Sequence, residues 1–240
     1  MKLIAYPATK NPCYQAGRTI EPKGIMIHSI GVPQPDPKVI ANNFNQSSAD
    51  SCVHAVIGTG EEVYQLLPWN HRAWHCGSGP NGSGNSTHIS FEMTEPASIR
   101  YTSGANWVDE NPSATRSHVQ KIYRRAVTLT AYLCKEYGLL PEADGVLISH
   151  SEGYRRGIAS NHADVEHIWS KMGLSMEQFR RDVAAAMEES GDIEIPETGD
   201  NKEVRYIVQE GAFAERKNAE ILAGQMKQAG FDAYIKELEK

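Results

Sequence analysis

Two short apolar runs, each led by a glycine and each ending in a histidine, constrain this chain more than any other feature. Lys23–Ser29 reads KGIMIHS, and Gly145–His150 reads GVLISH. Continuous apolar runs of this length, bounded by turn residues, predict short buried strands. Placed side by side in one sheet, they bring His28 and His150 to the same edge. The second run also opens a stretch, Ile148–Trp169, that gathers His150, Glu152, His162, Asp164, Glu166 and His167. Gly153, Gly157 and Asn161 predict that most of this stretch is loop. Loops carried by a rigid strand are where catalytic and metal-binding groups concentrate. A catalytic tetrahedral zinc site takes three protein ligands and leaves one position open. A lone strand-end histidine is ordinarily a packed core residue. Two of them, together with the H-x-D pair of His162 and Asp164, point instead to a metal or catalytic site.

The rest of the chain reads as an α/β protein. Residues 1–22 are rich in proline and polar residues and predict a surface segment ahead of the first core strand. The prolines of Val32–Pro37 predict a loop, and Lys38–Asn45 a short helix. Ser51–Gly58 and Glu62–Leu67 predict a hairpin, with His54 as a packed core histidine and His71 on the surface. A run rich in Gly, Ser and Asn up to Asn85 predicts a flexible loop. Thr87–Thr94 (THISFEMT) alternates, with Ile89, Phe91 and Met93 on one face and His88, Ser90 and Glu92 on the other. Glu92 is thus a carboxylate inside a strand, a position where an unpaired acid is unusual. Residues 95–114 predict an irregular loop, with Tyr101 and Trp107 as a candidate groove wall. Thr115–Tyr137 has three- and four-residue apolar spacing and a following Gly138, and predicts the longest helix. Ser175–Met187 predicts a second amphipathic helix.

Five segments in order, GIMIHS, RAWHCG, ISFEM, SHSEG and NHAD, resemble the type 2 N-acetylmuramoyl-L-alanine amidases. Their superfamily also holds the peptidoglycan recognition proteins and the phage zinc lysozymes. The resemblance covers residues 1–187 and implies an α/β fold with a mixed central sheet flanked by helices. It implies one Zn2+ per chain, held by His28, His150 and Asp164, with Glu92 as catalytic acid and base. His162 falls where some members carry Lys in a K-x-D motif, which implies a donor to the developing oxyanion. Trp74 and His75 match the family's W-H-x-G element and are expected to line the substrate groove. Glu152 and His167 are expected to support the ligands or lie on the surface. The implied substrate is peptidoglycan, cut between N-acetylmuramic acid and L-alanine. Two other readings share the fold: a peptidoglycan-binding module without activity, and an amidase that recycles soluble muropeptides.

Residues 188–203 are acidic, with Gly and Pro and few large apolar side chains, and predict a linker. Residues 204–240 read as strand, helix and strand. The V-Q-x-G-A-F start and the A-G-F-D-A-Y turn resemble the first half of a SPOR domain, a module that binds glycan strands. The resemblance implies a cell-wall-binding segment, or one that pairs with a second copy to give a homodimer. A net charge of −6 gives no general affinity for nucleic acid. No stretch approaches the roughly 18 apolar residues that a membrane span requires. MKLIAYPATKNP lacks a long apolar core and a cleavage site, so no secretory signal is expected. The expected course is synthesis in the cytoplasm and action on the bacterial wall after release by a holin or another non-Sec route, as for a phage endolysin or an autolysin. The four cysteines have no C-x-x-C spacing and are expected to be free thiols.

Overall fold

The apolar runs pair into one six-stranded mixed sheet. Its strands are β1 (Lys2–Ala5), β2 (Gly24–Ser29), β3 (Ala55–Ile57), β4 (Glu62–Gln65), β5 (His88–Met93) and β8 (Leu147–Ser149), in the order β1-β4-β3-β5-β2-β8. β3 and β4 form an antiparallel hairpin, and every other pair in the sheet is parallel. This computed structural model describes residues 1–188 together with Lys217 and Glu220. By its contacts the chain divides into two units, Met1–Glu197 and Thr198–Lys240. The linker expected after residue 188 and the strand-helix-strand expected from residue 204 lie outside the described residues. Among the described residues, no helix is long and apolar enough to cross a membrane.

Parallel strands buried on both faces read as unbroken apolar runs, which is why GIMIHS and LIS are so uniformly hydrophobic. One face of the sheet packs on α3 (Pro112–Tyr137) and α6 (Met176–Glu188). Ile25, Ile27, Ile89, Phe91 and Leu147 meet Val119, Ile122, Leu129 and Phe179 there in a single core. Each such side chain contributes roughly 1.5–3 kcal/mol by leaving water. The opposite face is covered in part by α1 (Pro12–Ala16) and α2 (Pro37–Phe44), whose Cys13, Ile40 and Ala41 pack against Val56 and Tyr64. The two-residue period then puts Met26, His28, Ser90, Glu92, Ile148 and His150 on the side away from α3. Gly24 opens β2 because a Cβ there would overlap the Val146 carbonyl oxygen and lie 2.8 Å from the His88 ring. α3 starts with the Asn111 side chain accepting from the Ala114 N–H. It stops at Gly138, whose φ of 62° lets its N–H turn back to Cys134 and Lys135.

Four expectations need correction. Residues 1–22 contribute β1, an edge strand of the main sheet, in parallel register with β4. The irregular loop expected over 95–114 contains a second sheet, β6 (Ile99–Ser103) paired antiparallel with β7 (Asn106–Asp109), and α3 starts earlier, at Pro112. Much of 150–169 is helical, as α4 (His150–Arg155) and α5 (Glu166–Trp169). His71 is buried, not on the surface, because its Nε2–H donates to the Cys13 carbonyl at 2.9 Å.

Candidate active site

Three neighbouring strands each hand over one functional group at their C-terminal ends. His28 on β2 stands beside Glu92 on β5 in the parallel register, and Ile27 stands beside Ser149 on β8, so His150 follows on the level of His28. His150 opens α4 directly, with no loop between strand and helix. A reciprocal cap makes that junction rigid: Ser149 Oγ accepts the Glu152 N–H at 3.0 Å, and Glu152 Oε2 accepts the Ser149 N–H at 3.2 Å. Glu152 also pairs with Arg180 of α6 at 2.5 Å, so its role is to hold α4 in place. Asp164 arrives on the loop before α5, tied down by the Ser151 N–H donating to its carbonyl at 3.0 Å.

His28 Nδ1 lies 3.1 Å from His150 Nδ1 and 3.1 Å from Asp164 Oδ2, and His150 Nδ1 lies 3.6 Å from Asp164 Oδ1. All three side chains are buried. Tetrahedral ligands at the usual zinc distances sit about 3.3–3.4 Å from one another, and the three separations bracket that value. His28 Nδ1 carries at most one hydrogen, which it can give to Asp164 or to His150 but not to both, so a bare acceptor stays aimed at the shared spot. The donor set therefore fits a divalent metal with nitrogen and oxygen preference. Burial pushes His150 down to about 4, with His28 adding to the shift, so the ring is neutral and able to ligate at neutral pH. Burial alone would raise Asp164, but its hydrogen bond to His28 holds it below the ordinary carboxylate range.

Glu92 is the outlier. Its Oε2 is buried with no hydrogen-bond partner among the described residues. Burial first, and then the charges of Asp164 and Glu95, raise its pKa well above the ordinary value. A carboxyl group shifted in that direction is a stronger base than an ordinary carboxylate, as proton transfer to and from a reacting group requires. Glu92, His28, His150, Asp164, His162, Trp74 and His75 all line one groove of about 860 Å³. His162 is exposed at its rim, its ring 4.5 Å from that of His150. Trp74 and His75 both lie on the wall, and His75 Nδ1 is also 2.9 Å from His28 Nε2.

The far wall comes from the β6–β7 hairpin, whose tip residues Gly104 and Ala105 face the groove. Tyr101 pins it by donating to Glu95 Oε2 at 2.7 Å while lying 2.6 Å from His167 Nε2, and Trp107 Nε1–H donates to the His167 carbonyl at 3.0 Å. His167 is accordingly a partly buried brace between the hairpin and the segment that carries Asp164. Ser160 is a groove residue that sequence reading missed, because no pattern marks a serine whose partners lie on three other segments. The cap at Ser149 had a readable signal in S-x-x-E.

Residues 18–167 match the N-acetylmuramoyl-L-alanine amidase family, and residues 202–240 match the SPOR domain. Among curated relatives, the amidase CwlA of Bacillus sp is 38% identical over 52 residues, covering 22% of this chain and 20% of the relative. The amidase CwlH of Bacillus subtilis strain 168 is 29% identical over 97 residues, 38% of each chain. These matches span less than half of either relative. Among solved structures, PlyL superposes with a TM-score of 0.55 at 20% identity, covering 80% of this chain and 99% of that one. The hydrolase AmiA of Staphylococcus aureus gives 0.54 at 17% identity, covering 78% and 82%. At that identity the structural likeness shows the fold, an α/β fold with a mixed sheet between helices. With its sequence match running across the strand ends that carry His28, Glu92 and His150 and through Asp164, the chain belongs to the N-acetylmuramoyl-L-alanine amidase family.

Proposed function

We propose that the protein is a zinc hydrolase that cuts the amide between the lactyl group of N-acetylmuramic acid and L-alanine in peptidoglycan. The observation that carries this reading is the convergence of His28, His150 and Asp164 on one point, with the unpartnered Glu92 carboxyl on the adjacent strand. His28 Nδ1, His150 Nδ1 and one Asp164 oxygen would hold one Zn2+ per chain. When bound, the ion supplies Lewis-acid chemistry, polarising an amide carbonyl and acidifying water to a pKa of about 7. Glu92 orients the attacking water and takes its proton, then returns a proton to the departing alanine nitrogen. A depressed carboxyl pKa would suit the first half of that cycle only, whereas a raised one supports both. His162 at the groove rim directs an N–H toward the oxygen that gains charge in the tetrahedral intermediate. Trp74 and the hairpin tip flank the substrate.

The proposed organisation is a catalytic domain over residues 1–187, a linker over 188–203 and a wall-binding or dimerising segment over 204–240. The SPOR match supports a wall-directed tail, and such a tail favours intact wall over soluble muropeptides as substrate. This suits a phage endolysin or a bacterial autolysin. Mass spectrometry of digested peptidoglycan tests the reading. Released peptides should carry a new L-alanine N-terminus, and glycan chains should stay whole. New reducing ends without free alanine amines would exclude an amidase.

A further inference from the structure

An imidazole that gives Nδ1 to a metal carries its hydrogen on Nε2. Applied to His28 and His150, this leaves two buried N–H groups that each need an acceptor. His28 Nε2 lies 2.9 Å from His75 Nδ1, and His150 Nε2 lies 3.3 Å from Ser160 Oγ. His75 accepts only if its own hydrogen is on Nε2, a buried atom that has no partner among the described residues. The other tautomer would set two N–H groups against each other and satisfy neither ring.

Both acceptors belong to one braced unit. Asn85 Oδ1 accepts the backbone N–H groups of His75 and Cys76 at 2.8 and 3.0 Å, and the Ser160 N–H donates to the Cys76 carbonyl at 2.8 Å. The Ser160 hydroxyl can donate to the same Cys76 carbonyl at 3.1 Å or to His162 Nδ1 at 3.0 Å, and in either case keeps a lone pair for the His150 Nε2–H.

We propose that His75 and Ser160 are positioning residues: His75 fixes the ring and tautomer of His28, and Ser160 does the same for His150 while lying within hydrogen-bond reach of His162. This rests on the zinc-amidase reading and goes further, moving His75 from substrate contact to ligand support. Groups that accept from the far nitrogen of a ligating histidine set its orientation and basicity, and their loss weakens metal binding by about 10–100-fold.

The test is zinc affinity, measured on full-length protein by competition with a chromogenic chelator. His75→Phe and Ser160→Ala should each bind zinc about 10–100-fold more weakly than wild type. His75→Asn, whose side-chain oxygen can stand where Nδ1 stood, should recover most of that loss. Ser160→Ala should also lower kcat without a matching change in KM. Zinc bound as tightly by Ser160→Ala and His75→Phe as by wild type overturns the proposal. Ser160→Ala removes one oxygen from a half-buried residue, so unaltered affinity there overturns it even if His75→Phe does not fold. A wild-type chain that binds no zinc overturns the zinc reading itself and this inference with it.

Discussion

The protein buries two groups of histidines, and they are wired in opposite ways. In the group formed by His54 and His71, both ring nitrogens of His54 and Nε2 of His71 meet protein partners. His54 Nδ1 accepts the Ser90 N–H at 3.0 Å, His54 Nε2–H donates to the His71 carbonyl at 2.8 Å, and His71 Nε2–H donates to the Cys13 carbonyl. In the group at the ends of β2 and β8, the nitrogens of His28 and His150 face each other across 3.1 Å, and Glu92 Oε2 beside them has no partner. Both groups are equally dry, so burial does not tell them apart. The difference lies in hydrogen-bond accounting: the ring nitrogens of His54 are both satisfied by the chain itself, whereas the facing groups of His28, His150 and Asp164 cannot all be.

The widest separation between the two groups should appear on removing a candidate ligand. His28→Ala, His150→Ala and Asp164→Asn should each lose bound zinc and all amidase activity, whereas His54→Gln should keep about one zinc per chain by elemental analysis. A His28→Ala protein that retains stoichiometric zinc would erase the distinction. Next in size is Glu92→Gln, which should bind zinc normally yet turn over about 10²–10⁴-fold more slowly, the scale of a lost general acid and base.

The satisfied group should instead register in stability. Burial pushes His54 down to about 4, so the folded protein refuses a proton that the unfolded chain accepts near pH 6.5. The stability this supplies is complete above pH 6.5 and is lost as pH falls through 4, about 3 kcal/mol in all. Urea titrations between those pH values should show the slope, and His54→Gln should flatten it. The smallest effect expected is for Tyr101→Phe. Losing the hydroxyl that donates to Glu95 should lower stability by about 1 kcal/mol, measurable by thermal unfolding, and leave zinc binding unchanged.

What could be read from the sequence follows the same division. The strands β2, β5 and β8 were legible because a run buried on both faces has a local signature, and His28, Glu92 and His150 came with them. Asp164 was legible through its H-x-D setting and the family resemblance. His71 was not, since its burial depends on a carbonyl 58 residues away. The β6–β7 hairpin was hidden because its strands are half exposed and polar, although S-G-A-N between Tyr101 and Trp107 was an available turn signal. The residue type of His75 was visible but its role was not, because that depends on which nitrogen faces which neighbour.

The parallel register has a kinetic consequence. His28 and His150 are 122 residues apart in sequence yet meet at the ends of adjacent strands, and Asp164, 136 residues from His28, reaches them from the loop before α5. Such contacts form only after long loops have closed, and parallel pairing of this kind is slow. A chain with β2 and β5 docked but β8 still free holds one histidine and no metal site. A zinc ion held as proposed should therefore be captured only after β2 and β8 have paired, and a chain lacking that pairing should show no hydrolysis. In refolding experiments, uptake of zinc followed with an indicator dye should trail the recovery of helical signal, with hydrolysis starting only when β8 has closed the sheet.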